Sequence, residues 1–176
     1  MQISFLDRPP ANPAKEPADC ITVVCPWLAG LRPETGLWIS ALPIHDVNAF
    51  LDGDWPGRAE SDHPTRLYYG IFALDRFRSH DHLFSLLHSK GIRHIINLPS
   101  VSFFDGRTAS TFQSLSLGSE QEVSFMRNAH AAGFNVALCM RRPVIRQLVE
   151  PNIFDFILTH DGPRSEFRPE ALAEIG

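Results

Sequence analysis

The side chains of this sequence that are best placed for chemistry lie just beyond short apolar segments that predict β-strands. These residues are Asp75, Asn97, Asp105, Gly106, Arg107 and His160. In parallel sheets and barrels, ligands bind beyond the carboxyl ends of the strands. His160 is the best titratable candidate, because histidine changes charge near neutral pH. The pattern predicts a polar site at one end of a sheet.

Each of these residues also has a structural interpretation, which the sequence leaves open. Asn97 can hold its own loop by hydrogen bonds, and Asp105 before Gly106 is a turn signature. Asp75 can cap the helix that follows it, and His160 can make a structural hydrogen bond. An enzyme that uses Asp75, Asn97, Asp105 and His160 together therefore requires their side chains to converge on one pocket.

Two further carboxylates stand where helix caps are expected. Asp46 precedes a predicted short helix that runs to Leu51, at the position of an N-cap. Glu122 is three residues after Ser119, and this spacing is that of a capping box with Ser119 as the N-cap. Contact with a ligand is the alternative role for both carboxylates.

Five apolar segments predict the strands of an α/β domain, and helical segments separate them. The strands are predicted at Asp19–Cys25, Leu67–Phe72, Ile92–Leu98, Phe134–Cys139 and Ile153–Thr159. Helices are predicted at about 46–51, 77–90, 119–132 and 144–149. A doubly wound sheet and part of a (β/α)₈ barrel both fit this order, but 176 residues are short for a complete barrel of about 250.

The chain divides into three predicted sections. Residues 1–18 hold four prolines and no periodic pattern, which predicts an extended or poorly ordered lead-in, with the first strand at Asp19. Residues 19–162 form the α/β domain, in which segments 27–48 and 99–118 are mainly long loops. Residues 163–176 form a polar tail, with a short helix at Pro169–Ile175 as one option.

Composition excludes several classes of protein. The net charge is −4, and the basic residues are dispersed, so nucleic acid is not an expected partner. No apolar run approaches the roughly 18 residues of a membrane span, and no signal-peptide core is present. The three cysteines lack zinc-site spacing, and we interpret them as reduced small hydrophobes. These features predict a cytoplasmic protein.

Four segments resemble, in order, the motifs of one barrel family. Two motifs lie in the first half of the chain: L-x-P-x-x-D-A-N resembles residues 42–48, and G-V-C-A-T-D-P-F resembles residues 70–77. Two more follow: N-F-P-T-V-G-x-x-D-G resembles residues 97–106, and L-E-E-T-G-M-G-x-x-x-E-V resembles residues 112–123. These are motifs of the phosphoenolpyruvate hydrolase-like TIM barrels, a family whose members are described by their likeness to phosphonopyruvate hydrolase. The resemblance spans about Asp19 to Gly162. It implies a partial or truncated TIM-barrel-like parallel sheet of about five strands.

The resemblance also implies a chemistry. A small anionic carboxylate, phosphonate or enol phosphate would bind at the strand ends, and Asp75 and Asp105 would hold Mg²⁺. Asn97 would orient an oxyanion, and His160 would move a proton. The residues expected to contact the substrate are Asp46, Asn48, Gly106, Arg107 and Glu122.

The departures from the family lead to a second hypothesis. The first family strand has no predicted counterpart before Asp19, and the final barrel units have none after Gly162. The family's N-S-G-R segment reads Pro26–Ala29 here, so an amide, a hydroxyl and a cation are replaced. The alternative function is therefore an inactive binding or regulatory module. Open sheet edges predict a homo-oligomer or a partner chain that covers them.

Overall fold

The computed structural model describes residues 2–10, 20–42, 45–53, 66–142, 145, 151–161 and 168–170. The described residues form one sheet of seven strands that lie in chain order. The strands are β1 (Gln2–Leu6), β2 (Cys20–Val24), β3 (Arg66–Ile71), β4 (His94–Asn97), β5 (Asn135–Arg141), β6 (Phe154–His160) and β7 (Arg168–Glu170). β1 to β6 are parallel, and β7 pairs antiparallel with β6. The six parallel strands curl into a half-barrel, which confirms the predicted partial TIM-barrel-like fold.

Four α-helices and four 3₁₀ helices connect the strands in the described part of the chain. The α-helices are α1 (Pro33–Ser40), α2 (His80–Ser89), α3 (Gly106–Ser114) and α4 (Ser119–Ala131). The 3₁₀ helices are Pro26–Leu28, Val47–Leu51, Val101–Phe103 and Pro151–Ile153. None of the described helices is long and apolar enough to cross a membrane.

Two strands lie where none was predicted. β1 runs within the lead-in and pairs along its whole length with β2, so the expectation of no strand before Asp19 is wrong. Its five residues carry too short a pattern to be recognised alone, and pairing with β2 supplies their hydrogen bonds. β7 occupies the start of the helix proposed for Pro169–Ile175, and the remainder of that helix lies outside the described residues.

Two helices lie in segments that were predicted as loops. α1 falls within 27–48 and α3 within 99–118. Helix α3 has no hydrophobic periodicity by which it could be predicted, because only Phe112 among its residues is buried. The helix predicted at 144–149 lies outside the described residues except for residue 145, which is helical.

Apolar side chains cover both faces of the sheet. One face packs against α2 and α4, where Leu83 and Phe125 meet strand residues such as Ile95. The opposite face holds a second cluster that includes Tyr68 and Leu158. Residues along a strand alternate between the two faces, so both layers of each strand are apolar. Polar side chains therefore emerge at the strand ends.

The three cysteines are free and buried. Burial raises the pKa of the Cys25 and Cys139 thiols, which keeps them protonated at neutral pH. This confirms their interpretation as reduced small hydrophobes.

Arg78 ties two loops together at the carboxyl end of β3. Its guanidinium donates two hydrogen bonds of 2.9 Å to the Asp46 carboxylate and one of 3.0 Å to Asp75 Oδ2. It also forms an ion pair with Asp52. The Arg78 side chain is 5% exposed and that of Asp75 is 2% exposed. We call this group of one arginine and three aspartates the Arg78 clamp.

The Arg78 clamp predicts a large effect of one substitution. Arg78→Ala is expected to lower the free energy of unfolding by about 3–5 kcal/mol, because it leaves the buried Asp75 carboxylate without its cation. Urea unfolding measures this loss. Arg76→Ala is the control, since Arg76 is exposed and, among the described residues, donates to the Leu115 carbonyl oxygen alone, at 3.3 Å. Equal losses in both variants would contradict a stabilising role for the clamp.

Candidate functional site

A chain of buried hydrogen bonds joins α4 to the carboxyl end of β6. Ser100 Oγ lies 2.8 Å from Glu122 Oε2 and 2.7 Å from Ser102 Oγ. Ser102 Oγ in turn lies 3.1 Å from His160 Nε2. None of these four side chains is more than 4% exposed. We call Glu122, Ser100, Ser102 and His160 the relay.

Local structure fixes each member of the relay. His160 is the last residue of β6. Ser100 is the N-cap of the 3₁₀ helix Val101–Phe103, and its Oγ accepts the Ser102 amide at 3.1 Å. Glu122 lies on the buried side of α4, where its Oε1 accepts the Val101 amide at 3.0 Å. The two serines are therefore held between a strand end and a helix.

The Asn97 side chain supports the same region from β4. Its Nδ2 donates to the Cys139 carbonyl at 3.0 Å, and its Oδ1 accepts the Cys139 amide at 2.6 Å. These two bonds join the ends of β4 and β5. Asn97 thus joins two neighbouring strands rather than holding its own loop, and it also lies beside Glu122.

Glu122 is the strongly perturbed acid among the described residues. Burial raises the pKa of Glu122 to about 8, against the opposing effect of hydrogen bonds from Ser100, Val101 and Asn97. The carboxyl group therefore holds its proton at neutral pH and releases it slightly above. Perturbed titratable groups of this kind cluster at functional sites.

The protonation of Glu122 sets the direction of every hydrogen bond in the relay, because each hydroxyl has one proton to donate. When Glu122 is ionised, Ser100 donates to it, Ser102 donates to Ser100, and His160 Nε2–H donates to Ser102. When Glu122 is protonated and donates to Ser100, the order reverses and Ser102 donates to His160. The relay can therefore move one proton between Glu122 and His160.

The relay reaches a cavity at Ser102. This cavity has a volume of about 450 Å³ and is lined by Ser102, Asp105, Gly106, Ser119, Glu120 and Arg141, among others. Its volume lies within the roughly 300–1,000 Å³ of small-molecule sites. We call it the polar cavity.

Arg141 brings a positive charge to the polar cavity. Its Nη1 lies 3.3 Å from Asp105 Oδ2, and its Nε is buried without a hydrogen-bond partner among the described residues. Helix α4 begins at this cavity, so its partial positive charge adds to that of Arg141. The negative charges of the Asp105 and Glu120 carboxylates partly offset the positive charges of Arg141 and the start of α4.

A second cavity of about 190 Å³ lies beside the Arg78 clamp. It is lined mainly by apolar side chains, together with Asp46, Asn48 and Asp75 of the neighbouring loops. We call it the apolar cavity. Val101 and Phe112 line both cavities.

The structure separates the predicted site residues into two groups. Asn97, Glu122 and His160 lie in or beside the relay, and Asp105 and Gly106 line the polar cavity. Asp46, Asn48 and Asp75 line the apolar cavity instead. Arg107 is exposed on α3 and lines neither cavity. The four predicted catalytic residues therefore do not meet in one pocket, and their roles remain predictions.

Asp75 and Asp105 do not fit a shared Mg²⁺ site. Both oxygens of Asp75 already accept two hydrogen bonds each, from the Phe77 and Arg78 amides and from the side chains of Asn48 and Arg78. Asp105 lines the other cavity and pairs with Arg141. The described residues contain no cluster of three His, Cys, Asp or Glu able to hold a metal ion.

The helix caps differ in part from their predictions. Asp46 caps the 3₁₀ helix Val47–Leu51 through a 3.1 Å bond from the Asn48 amide, as expected. The N-cap of α4 is Gly118 rather than Ser119, and Gln121 Oε1 accepts the Gly118 amide at 3.0 Å. The expected capping box of Ser119 and Glu122 is wrong, because burial turns Glu122 toward Ser100.

Sequence reasoning missed Ser100, Ser102, Arg78 and Arg141. The serines follow Asn97 closely in the motif segment 97–106, so their position past a strand was a usable signal. Arg141 was overlooked because β5 was predicted to end at Cys139, whereas it continues to Arg141. Nothing local predicted that Arg78 would meet Asp46.

Comparison with known proteins gives two similarities. The family model described as phosphoenolpyruvate hydrolase-like matches residues 60–160, which include the whole relay. An uncharacterised protein, y4oT, of Sinorhizobium fredii (strain NBRC 101917 / NGR234) is 31% identical over 115 residues. That match covers 65% of this chain and 58% of y4oT, so the chain spans less than two thirds of this relative's length.

The buried acid predicts a distinctive pH dependence of stability. Between pH 4.5 and about 8 the folded state keeps the Glu122 proton while the unfolded state loses it, so rising pH favours unfolding. The free energy of unfolding falls by about 5 kcal/mol across that window. Glu122→Gln is expected to remove this component and to be the more stable protein at pH 8.

Urea unfolding at several pH values measures this effect. Glu120→Gln is the matched control, because Glu120 is exposed two residues away on the same helix. Parallel stability curves for the unaltered protein and Glu122→Gln would show that Glu122 does not hold its proton in the folded state.

Proposed function

Because the chain belongs to the phosphoenolpyruvate hydrolase-like family, we propose that it binds a small anionic carboxylate or phosphonate in the polar cavity and transfers a proton to or from it through Ser102. One observation carries this proposal. The relay connects a buried acid to a histidine, and one of its hydroxyl groups, that of Ser102, lines the cavity.

The charges around the polar cavity support an anionic ligand. Arg141 is the cation that lines the cavity, and its Nε has no described partner. A carboxylate or phosphonate would compete with Asp105 for the guanidinium, which binds such planar or branched anions well. The start of α4 would add to the attraction.

The relay supplies the proton chemistry. A proton that leaves the Ser102 hydroxyl for the ligand is replaced from His160 Nε2 or, through Ser100, from Glu122. A proton taken from the ligand travels the same path in reverse. General acid–base transfer of this kind needs a group with a pKa near the working pH, and the pKa of about 8 of Glu122 meets that condition.

The alternative is a non-catalytic binding or regulatory module. The Arg78 clamp favours it, because three residues of the family motifs, Asp46, Asn48 and Asp75, are engaged in hydrogen bonds with one another or with Arg78. A module would bind the same class of ligand in the polar cavity and leave it unchanged.

Calorimetric titration distinguishes these possibilities. Methylphosphonate and phosphonopyruvate, each with and without Mg²⁺, are the probes, and release of inorganic phosphate from phosphonopyruvate reports turnover. Arg141→Gln is expected to weaken binding by about tenfold or more, since it removes a charge-assisted hydrogen bond. Arg142→Gln is the matched control, because Arg142 lines neither cavity.

The outcomes separate the two functions. Binding with phosphate release that Ser102→Ala abolishes supports the proton-transfer role. Binding without turnover of phosphonopyruvate supports the module. No binding of either probe, or equal losses in the two arginine variants, overturns the placement of the ligand in the polar cavity.

We also propose, as the sequence predicted, that a second copy or a partner chain covers the sheet edges. In the described residues the sheet runs from β1 to β7 without closing on itself. Sedimentation velocity of the purified chain tests self-association, and a monomer across micromolar concentrations would count against a second copy.

A further inference from the structure

The apolar cavity lies directly against the polar cavity. Val101 and Phe112 line both, and both side chains are largely buried. Val101 is also next to Ser102, the residue at which the relay meets the polar cavity. The two cavities are therefore adjacent, and a substituent of a ligand held at Ser102 would enter the apolar cavity past Val101 and Phe112.

The buried polar side chains at the apolar cavity are already satisfied. Asp75 accepts four hydrogen bonds. Asn48 donates to Asp75 at 2.9 Å and to the Phe72 carbonyl at 3.0 Å, and its Oδ1 accepts the Phe72 amide at 3.0 Å. Of the other polar lining residues, Asp46 pairs with Arg78, and His45 and Arg76 are exposed. The interior of the cavity is thus suited to an apolar group.

The size of the cavity limits what that group can be. An apolar cavity of roughly 150 Å³ holds one benzene molecule, and this one measures about 190 Å³. One aromatic ring or a branched alkyl group fits, whereas a longer chain does not. Phe77, which also lines the cavity, is 71% exposed, so an apolar surface extends outward from it.

We propose that the natural ligand is an anion that carries one compact apolar substituent. The polar cavity holds the carboxylate or phosphonate, and the apolar cavity holds a phenyl-sized group. This inference rests on the proposed function, since it takes the anion to lie beside Ser102 and Arg141. It narrows the ligand class from small anions in general to aryl- or alkyl-substituted ones.

Two phosphonates that differ by one ring test the inference. Benzylphosphonate is methylphosphonate with an added phenyl group, so the comparison isolates the substituent. Benzylphosphonate is expected to bind about tenfold more tightly or better, because burial of apolar surface is favourable in proportion to its area. Isothermal titration calorimetry of the full chain measures both dissociation constants.

A pair of variants in one loop locates the ring. Leu117 lines the apolar cavity, and Leu117→Trp is expected to fill it. That variant should lose the preference for benzylphosphonate and still bind methylphosphonate. Leu115→Trp is the matched control, because Leu115 is 57% exposed and lines neither cavity. Leu117→Phe, a smaller enlargement, serves if Leu117→Trp does not fold.

Each outcome has one meaning. Equal binding of the two phosphonates by the unaltered chain overturns this inference and leaves the proposed function standing. A preference for benzylphosphonate that the Leu117 variants leave intact also overturns it, because the ring then lies elsewhere. If neither phosphonate binds, the proposed function fails, and the inference fails with it.

Discussion

The wall between the two cavities depends on one buried carboxyl group. Glu122 accepts a hydrogen bond from the Val101 amide and is hydrogen-bonded to the Ser100 hydroxyl in either protonation state, and these two bonds fix the 3₁₀ helix that follows Pro99. Val101 lines both cavities, and Ser102 opens onto the polar one. Without Glu122 the Val101 amide and the Ser100 hydroxyl would lose buried partners, at a cost of about 1–3 kcal/mol each. The shape of the site therefore follows from a side chain that α4 carries into the core.

The two buried carboxyl groups, those of Asp75 and Glu122, have different kinds of partners. Asp75 accepts four hydrogen bonds, one of them from the Arg78 guanidinium, and holds two loops in place. Glu122 meets hydroxyl and amide groups but no cation, so burial raises its pKa to about 8. A charge that is paired stabilises one geometry, whereas an unpaired acid can exchange its proton. The first arrangement supports the frame of the site, and the second supplies its chemistry.

The strands and helices that could be predicted are those whose own residues show a clear hydrophobic pattern. β3 to β6 and α2 have continuous apolar or amphipathic patterns, and their positions agree with the prediction to within a few residues. β1 and α3 lack such a pattern, because pairing with β2 or a single buried Phe112 stabilises them. Residue types identified Asn97, Glu122 and His160 as candidates. Their connection through Ser100 and Ser102 was not predictable, because it joins side chains 22 and 58 positions apart in the chain.

The order of the strands in the sheet is the order of the strands in the chain. Among the seven described strands, each one after β1 thus pairs with the strand made just before it, and none of them inserts between two earlier ones. Each pairing closes only the connection between two successive strands, and the entropy that such a closure costs grows slowly with its length. During synthesis the strands would leave the ribosome in the order in which they pair, so each new strand would add to the edge formed by the previous one. The relay would close only when β6 emerges and brings His160 to serines that α4 already holds.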